Sequence, residues 1–106
     1  MAADARLVLT TEANAELATA LAELILEQRL AACIALKPVQ SLYRWQGTIE
    51  RSQEMQLLIK THARCLPALE ALVRKKHSYD LPQWLHWPAE ASADYAAWLA
   101  ENCSLS

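Results

Sequence analysis

A single glycine separates two long runs of strand-forming residues. Gly47 is the only glycine among the 106 residues, and a tight hairpin turn is where positive φ most requires one. The run before it, 31–45 (AACIALKPVQSLYRW), is rich in β-branched and aromatic residues, and Pro38 should bend or interrupt its pairing. The run after it, 48–61, alternates in polarity. We therefore predict a long hairpin that turns at Gln46-Gly47, with Met55, Leu57 and Ile59 on one face.

The segments on either side of this hairpin alternate between strand and helix patterns. In chain order they are strand 6–10, a helix capped by Thr11, the hairpin, a helix over 62–76 with Pro67 in its first turn, strand 83–88 and a last helix capped by Ser92. The last helix should place Tyr95, Trp98 and Leu99 on one face. This order predicts an α+β fold, a ferredoxin-like βαββαβ sandwich with an extra C-terminal helix, as one domain over 1–106.

Composition indicates that the chain associates with itself. Hydrophobic residues make up 54% of the sequence and include four tryptophans, which is more apolar surface than so short a monomer readily hides. The hairpin is also longer than the domain requires, so we predict that it pairs with another chain. The net charge of -2 provides no attraction for phosphate backbones or anionic membranes. We expect neither nucleic acid nor membrane as a partner.

The expected compartment is the cytosol. The first residues lack a basic region and a long apolar region, and no apolar run approaches the ~20 residues that span a bilayer. The three cysteines are widely spaced and form no C-x-x-C pair, so neither a disulfide framework nor a zinc site is indicated. Reduced thiols in a cytosolic protein fit this pattern best.

Polar and aromatic residues concentrate at 75–88 (KKHSYDLPQWLHWP). His77 either ends a helix and favours its dipole, or lies in a cleft against a neighbouring subunit. His62 should be solvated, and His86 should lie at the surface or pack against a partner. Cys33 is expected to be a small buried residue, or a Cu(I) ligand if it meets Met55. Cys103 is expected to be exposed.

Five further residues combine aromatic rings with polar groups on the strands and at this crossing: Tyr43, Trp45, Glu50, Lys60 and Tyr79. They either pack and hydrogen-bond between subunits, or line an intersubunit pocket for a small anion with Lys60 as its cation. The chain contains no nucleophile elbow, no H-E-x-x-H and no glycine-rich phosphate loop. We therefore predict that the protein is not an enzyme.

Several separated motifs resemble the divalent-cation tolerance family CutA. They are VLTT, LAACIALKPVQSLYRWQGTIE, LLIKT and HSYDLP, in that order along nearly the whole chain. The resemblance implies a homotrimer, a role in tolerance to copper or other divalent cations, and possible Cu(II) binding. The family's copper ligands are a cysteine, where this chain has Thr10, and two adjacent histidines, where it has Lys76 and His77.

Two functions follow from this resemblance. One is a cytosolic homotrimeric protein of the metal-ion response that binds copper weakly, with His77 as the metal ligand. The other uses the similarity of the family's architecture to the PII signalling proteins: a trimeric signalling or scaffold module. Its intersubunit cleft would hold a small anionic metabolite or a protein partner.

Overall fold

The computed structural model describes residues 4–104 and has the predicted order of elements. These are β1 (Ala5–Glu12), α1 (Ala15–Glu27), β2 (Cys33–Trp45), β3 (Thr48–His62), a 3-10 turn (Ala63–Cys65), α2 (Leu66–Lys76), β4 (Leu85–Pro88) and α3 (Ala93–Asn102). The strands form one antiparallel sheet in the order β2-β3-β1-β4. The predicted ferredoxin-like α+β fold is confirmed.

The first helix begins later than the sequence predicted. Thr11 does not cap it, because β1 continues through Thr11, which pairs with Gln56, to Glu12. Asn14 caps the helix instead, and its side-chain oxygen accepts a hydrogen bond from the Leu17 N–H at 2.9 Å. The cap prediction was wrong because threonine suits both a strand and an N-cap, and the pairing with β3 decides between them.

The proline of the second strand does not interrupt it. Pro38 lies within β2 opposite Met55, and the pairing continues on both sides. β2 is an outer strand of this sheet, and an outer strand tolerates proline because its free side forms no ladder. The turn is as predicted: Gln46 and Gly47 have φ of 49° and 83°, the positive values that a two-residue hairpin turn requires.

The helices cover one face of the sheet and form the core with it. Val8, Leu57 and Ile59 alternate onto this face and are fully buried. They pack with side chains from all three helices, namely Ala18, Leu21, Ile25, Leu69, Val73 and Leu99. Leu99 is the buried member of the predicted face of α3, while Tyr95 and Trp98 are exposed with their ring centroids 5.4 Å apart.

The opposite face of the sheet carries no helix among residues 4–104, and we call it the open face. Alternation places the other side chains of β1, β3 and β4 there. Leu85 and Trp87 of β4 are 53% and 40% exposed. Half-buried leucines of the neighbouring strands lie beside them: Leu7, Leu9 and Leu58. The open face is therefore apolar and incompletely covered.

The hairpin of β2 and β3 has two halves with different surroundings. β1 pairs with β3 only from Met55 to His62, so residues 33–38 and 55–62 form a proximal half within the sheet. Residues 39–45 and 48–54 form a distal half, in which β2 and β3 pair only with each other. None of the distal residues is buried. The long axis of the described chain, 45 Å against 24 and 21 Å, reflects this extension.

Candidate functional site

The chain between α2 and β4 passes the end of β1 and forms a cleft with the distal half of the hairpin. The cleft has a volume of about 900 Å³. One wall comes from the hairpin, with Tyr43, Trp45 and Glu54, and the other from residues 79–85. Pro82, which is buried, disfavours a helix here, and residues 78–81 before it form bends. The cleft therefore brings together parts of the sequence that are far apart along the chain.

His77 ends α2, as one of its two interpretations predicted. Its backbone N–H donates to the Val73 carbonyl at 2.9 Å. Its side chain is 0% exposed and uses both ring nitrogens: Nδ1 accepts from the Tyr79 N–H at 3.0 Å, and Nε2 contacts the Thr11 carbonyl oxygen. Because a carbonyl oxygen only accepts, Nε2 carries the proton. The imidazole thus holds the crossing segment against the end of β1.

Glu12 is a buried carboxylate that the sequence did not single out. Its Oε1 accepts hydrogen bonds from the Ala13 N–H at 2.9 Å and from the Ser78 hydroxyl. Its Oε2 accepts from the Ser78 N–H at 2.9 Å and lies 3.6 Å from Nδ1 of His77. Burial raises the pKa of Glu12, but the hydrogen bonds from Ser78 and Ala13 outweigh it and leave the pKa below its usual value. Glu12 is therefore an anion that anchors the crossing segment.

Tyr79 connects this anchored segment to the distal half of the hairpin. Its hydroxyl donates a hydrogen bond of 2.7 Å to Oε2 of Glu54, and its ring lies 4.9 Å from that of His77. Burial and the Glu54 carboxylate raise the pKa of Tyr79 well above its usual value. The phenol is thus a permanent donor at neutral pH, and it fixes the Glu54 carboxylate at the cleft.

Within the subunit, the structure brings together three of the five residues that the sequence grouped. Tyr43, Trp45 and Tyr79 line the cleft. Glu50 lies opposite Tyr43 but is not a lining residue, and Lys60 pairs with Cys33 and Leu7 in the proximal half. Lys60 is not among the lining residues of the cleft within this subunit.

The comparisons with known proteins give one consistent answer. Residues 6–102 match the profile of the CutA1 divalent ion tolerance protein. The chain belongs to the CutA1 family. The divalent-cation tolerance protein CutA of Thermus thermophilus is 40% identical over 97 residues, which is 90% of this chain and 94% of that protein. The family is described by ion tolerance, and that description names no reaction.

Solved structures of CutA proteins share this fold. CutA from Synechococcus elongatus superposes with a TM-score of 0.92 at 42% identity, covering 96% of this chain and 92% of that one. The periplasmic divalent cation tolerance protein CutA from Archaeoglobus fulgidus has a TM-score of 0.90 at 28% identity, covering 92% and 97%. None of the helices formed by residues 4–104 is long and apolar enough to cross a membrane.

The copper ligands that the resemblance implies do not fit a metal site in this CutA1 subunit. No group of three or more His, Cys, Asp or Glu within residues 4–104 could hold a metal ion. Thr10 is buried, and its hydroxyl has no hydrogen-bond partner among the described atoms. Lys76 is exposed, and both nitrogens of His77 are already bonded. A metal at His77 would have to displace the Thr11 carbonyl or the Tyr79 amide.

The remaining histidine and cysteine predictions had mixed outcomes. Cys33 and Met55 do not meet, because Met55 lies opposite Pro38, five residues or about 17 Å along β2 from Cys33. Cys103 is fully buried rather than exposed, and this burial raises the pKa of its thiol. His62 is not solvated, since its side chain is 15% exposed and accepts from the Arg64 N–H at 3.1 Å. His86 is exposed on β4, as predicted.

Proposed function

We propose that this protein acts in the cytosol as a homotrimer of the divalent-cation response, without catalysing a reaction. The observation that supports the trimer is the uncovered apolar surface shared by the open face and the distal half. A two-stranded ribbon alone is at most marginally stable in water, and here Ile49 is 67% exposed near its tip. Copies of the chain are suited to cover these surfaces, because an exposed strand edge readily pairs with another strand.

The sheet also offers a way to assemble copies in a ring. Its two outer strands, β2 and β4, each leave one edge unpaired within the described chain. A contact between β2 of one copy and β4 of the next joins two different surfaces, and such a contact ends only when the ring closes. We take the number of copies as three from the family resemblance. In this arrangement the open faces meet inside the ring.

Light scattering tests the assembly. The wild-type mass should be about three times 11.9 kDa, and Leu85→Lys on the open face should reduce it to that of the monomer. Leu26→Lys is the control, because Leu26 is exposed on α1, away from the open face. A monomeric wild-type protein would contradict the trimer. A trimeric Leu85→Lys variant would contradict the use of the open face.

The role in ion tolerance does not rest on a copper site built into the subunit. We propose that Cu(II) or another divalent ion binds at most weakly, since a site at His77 must first break one of its two hydrogen bonds. Cu(II) titration should therefore give similar weak binding for the wild type, for His77→Ala and for His86→Ala, which replaces an exposed histidine. Tight binding that only His77→Ala abolishes would contradict this proposal.

The cleft favours a second candidate, a PII-like signalling or scaffold module that responds to a small molecule. Ligand sites are typically concave, mostly apolar and provided with a few fixed polar groups, and the cleft has aromatic walls and the oriented Glu54 carboxylate. A thermal-shift screen of small metabolites tests this candidate, because a ligand of the folded state raises the melting temperature. A screen without any shift would leave the trimer as the only proposed function.

A further inference from the structure

We propose that the cleft binds a small organic cation, one that carries a substituted ammonium group. This inference rests on the proposed function only in taking the cleft as the ligand site. The proposed ligand differs in charge from the anionic metabolite expected from the sequence, because the charges and rings that line the cleft favour a cation. Three features support it: the carboxylates, the aromatic surfaces and the lack of a metal-ligand set.

The charged groups of the cleft are negative. Glu54 and Asp80 line it, and none of the described lining residues is Lys, Arg or His. Strand alternation places Arg44 and Arg51 on the opposite side of the hairpin. Lys37 is on the same side, two positions from Val39, which pairs with Glu54, but it is not a lining residue. The nearest charges to a bound ligand are therefore carboxylates, which favour a cation.

The aromatic groups supply the second half of such a site. Tyr43 and Trp45 stand on the hairpin wall, and Tyr79 and Trp84 on the crossing segment. Within the single subunit Trp45 is 48% exposed and Tyr43 is 42% exposed, so each ring offers a face to a ligand, which in a trimer shares the distal half with a neighbouring copy. A cation over such a ring is attracted by its negative face. Rings attract an organic ammonium group in this way, but they provide no lone pair for a metal ion.

The position of Glu54 is fixed before any ligand arrives. The Tyr79 hydroxyl donates to its Oε2 at 2.7 Å, and Tyr79 in turn follows the segment anchored by Glu12 and His77. A carboxylate held in this way loses little side-chain freedom when a ligand binds. The absence of a three-ligand group for metals in the described chain leaves a bulky cation as the ligand class that matches the cleft.

Tryptophan fluorescence provides the test, because Trp45 and Trp84 line the cleft. Choline is the cationic probe, and 3,3-dimethyl-1-butanol is its neutral analogue of the same shape. We expect saturable binding of choline that is about tenfold tighter than that of the neutral alcohol, as one or two cation–π contacts would give. Citrate, the anionic probe, should not bind. Equal binding of the alcohol, or preferential binding of citrate, would contradict the proposal.

Matched variants locate the binding. Glu54→Gln keeps an acceptor for Tyr79 and removes one charge, while Glu16→Gln makes the same change on the exposed surface of α1. Trp45→Ala removes a cleft ring, and Trp98→Ala removes an exposed ring of α3. Each cleft variant should weaken choline binding by about fivefold or more, and each control should leave it unchanged. Equal effects in the cleft variants and their controls would contradict the proposed site.

Light scattering on the same samples separates this inference from the proposed function. If the wild type is a trimer and choline does not bind, the ligand class is wrong and the trimer stands. If the wild type is a monomer that binds choline, the cleft proposal stands and the trimer falls.

Discussion

The two halves of one hairpin show how neighbours decide the role of a strand. The proximal and distal halves continue the same two strands, β2 and β3, with the same antiparallel pairing. In the proximal half β1 pairs along β3 and the helices pack over it, so Leu57 and Ile59 are fully buried. In the distal half neither β1 nor a helix covers the strands within the described chain, and Ile49 is 67% exposed.

The difference between the halves is one of surroundings, not of strand propensity. Both contain β-branched residues suited to strands. Burial of apolar surface gives about 25 cal/mol per Å² only where another layer removes that surface from water. The proximal half thus contributes to the stability of the subunit, and the distal half is available for a partner chain and a ligand.

The largest expected effect is a loss of stability, and it should differ between the two halves of the hairpin. Leu57→Ala in the proximal half should lower the free energy of unfolding by about 3 kcal/mol, because it opens a cavity in a packed core. Ile49→Ala in the distal half should have a cost that shrinks as the protein is diluted and the assembly dissociates, since Ile49 is covered only when a partner copy is bound. Urea unfolding at several protein concentrations measures both. Equal, concentration-independent losses in the two variants would show that both halves stabilise the subunit in the same way.

A smaller effect tests the link between the distal half and the rest of the subunit. Tyr79→Phe removes the hydroxyl that donates to Glu54 and should lower the free energy of unfolding by about 1.5 to 3 kcal/mol, the usual value for a hydrogen bond to a charged group. Amide exchange in residues 48–54 should become faster. Tyr95→Phe, at an exposed position of α3, is the control. Unchanged exchange in Tyr79→Phe would show that Glu54 is held by other contacts.

The smallest effect concerns pH at the proximal end, where β3 ends at His62. Burial and the nearby Arg64 lower the pKa of His62 below 6.5, and Asp4 offsets this only in part. In the range between the lowered pKa and 6.5 the unfolded chain binds more protons than the folded one. Stability should therefore fall as the pH is lowered through 6.5, and the loss should end below the folded pKa.

The variant His62→Asn tests this pH dependence. Asparagine keeps a side-chain acceptor for the Arg64 N–H and does not titrate, so the loss of stability between about pH 7.5 and about pH 5.5 should decrease. Urea midpoints at the two pH values measure it, with His86→Asn as the exposed control. A pH dependence equal to that of the wild type in both variants would assign it to other groups.

Local sequence patterns predicted those parts of the fold that depend on local chemistry. The turn at Gly47, the proline in the first turn of α2 and the end of that helix at His77 each follow from backbone geometry. The predictions for Thr11, Pro38 and Cys103 failed for a shared reason. Each depends on a neighbour from another part of the chain: β3 for Thr11, the outer position of β2 for Pro38, and the core for Cys103.

The site was predicted only in part. Tyr43, Trp45 and Tyr79 carry a visible signal, since aromatic residues with polar tips are typical of clefts and interfaces. Glu12 carries a weaker one: a carboxylate directly after a buried strand, which the sequence alone presents as a surface residue. Its role became evident only when the crossing segment brought Ser78 and His77 to it. Lys60 does not line the cleft within the subunit, and its position along a long hairpin cannot be judged from residue type.

The sequence by itself determined the order of the elements, the length of the hairpin and the family, because periodicity, turn chemistry and separated motifs are local properties of the chain. Only the tertiary structure decided which half of the hairpin is buried, where the cleft lies and what charge it presents. Those properties depend on contacts between residues such as Glu54 and Tyr79, or Glu12 and Ser78. These partners are 25 and 66 positions apart in the sequence, and the packing of the sheet brings them together.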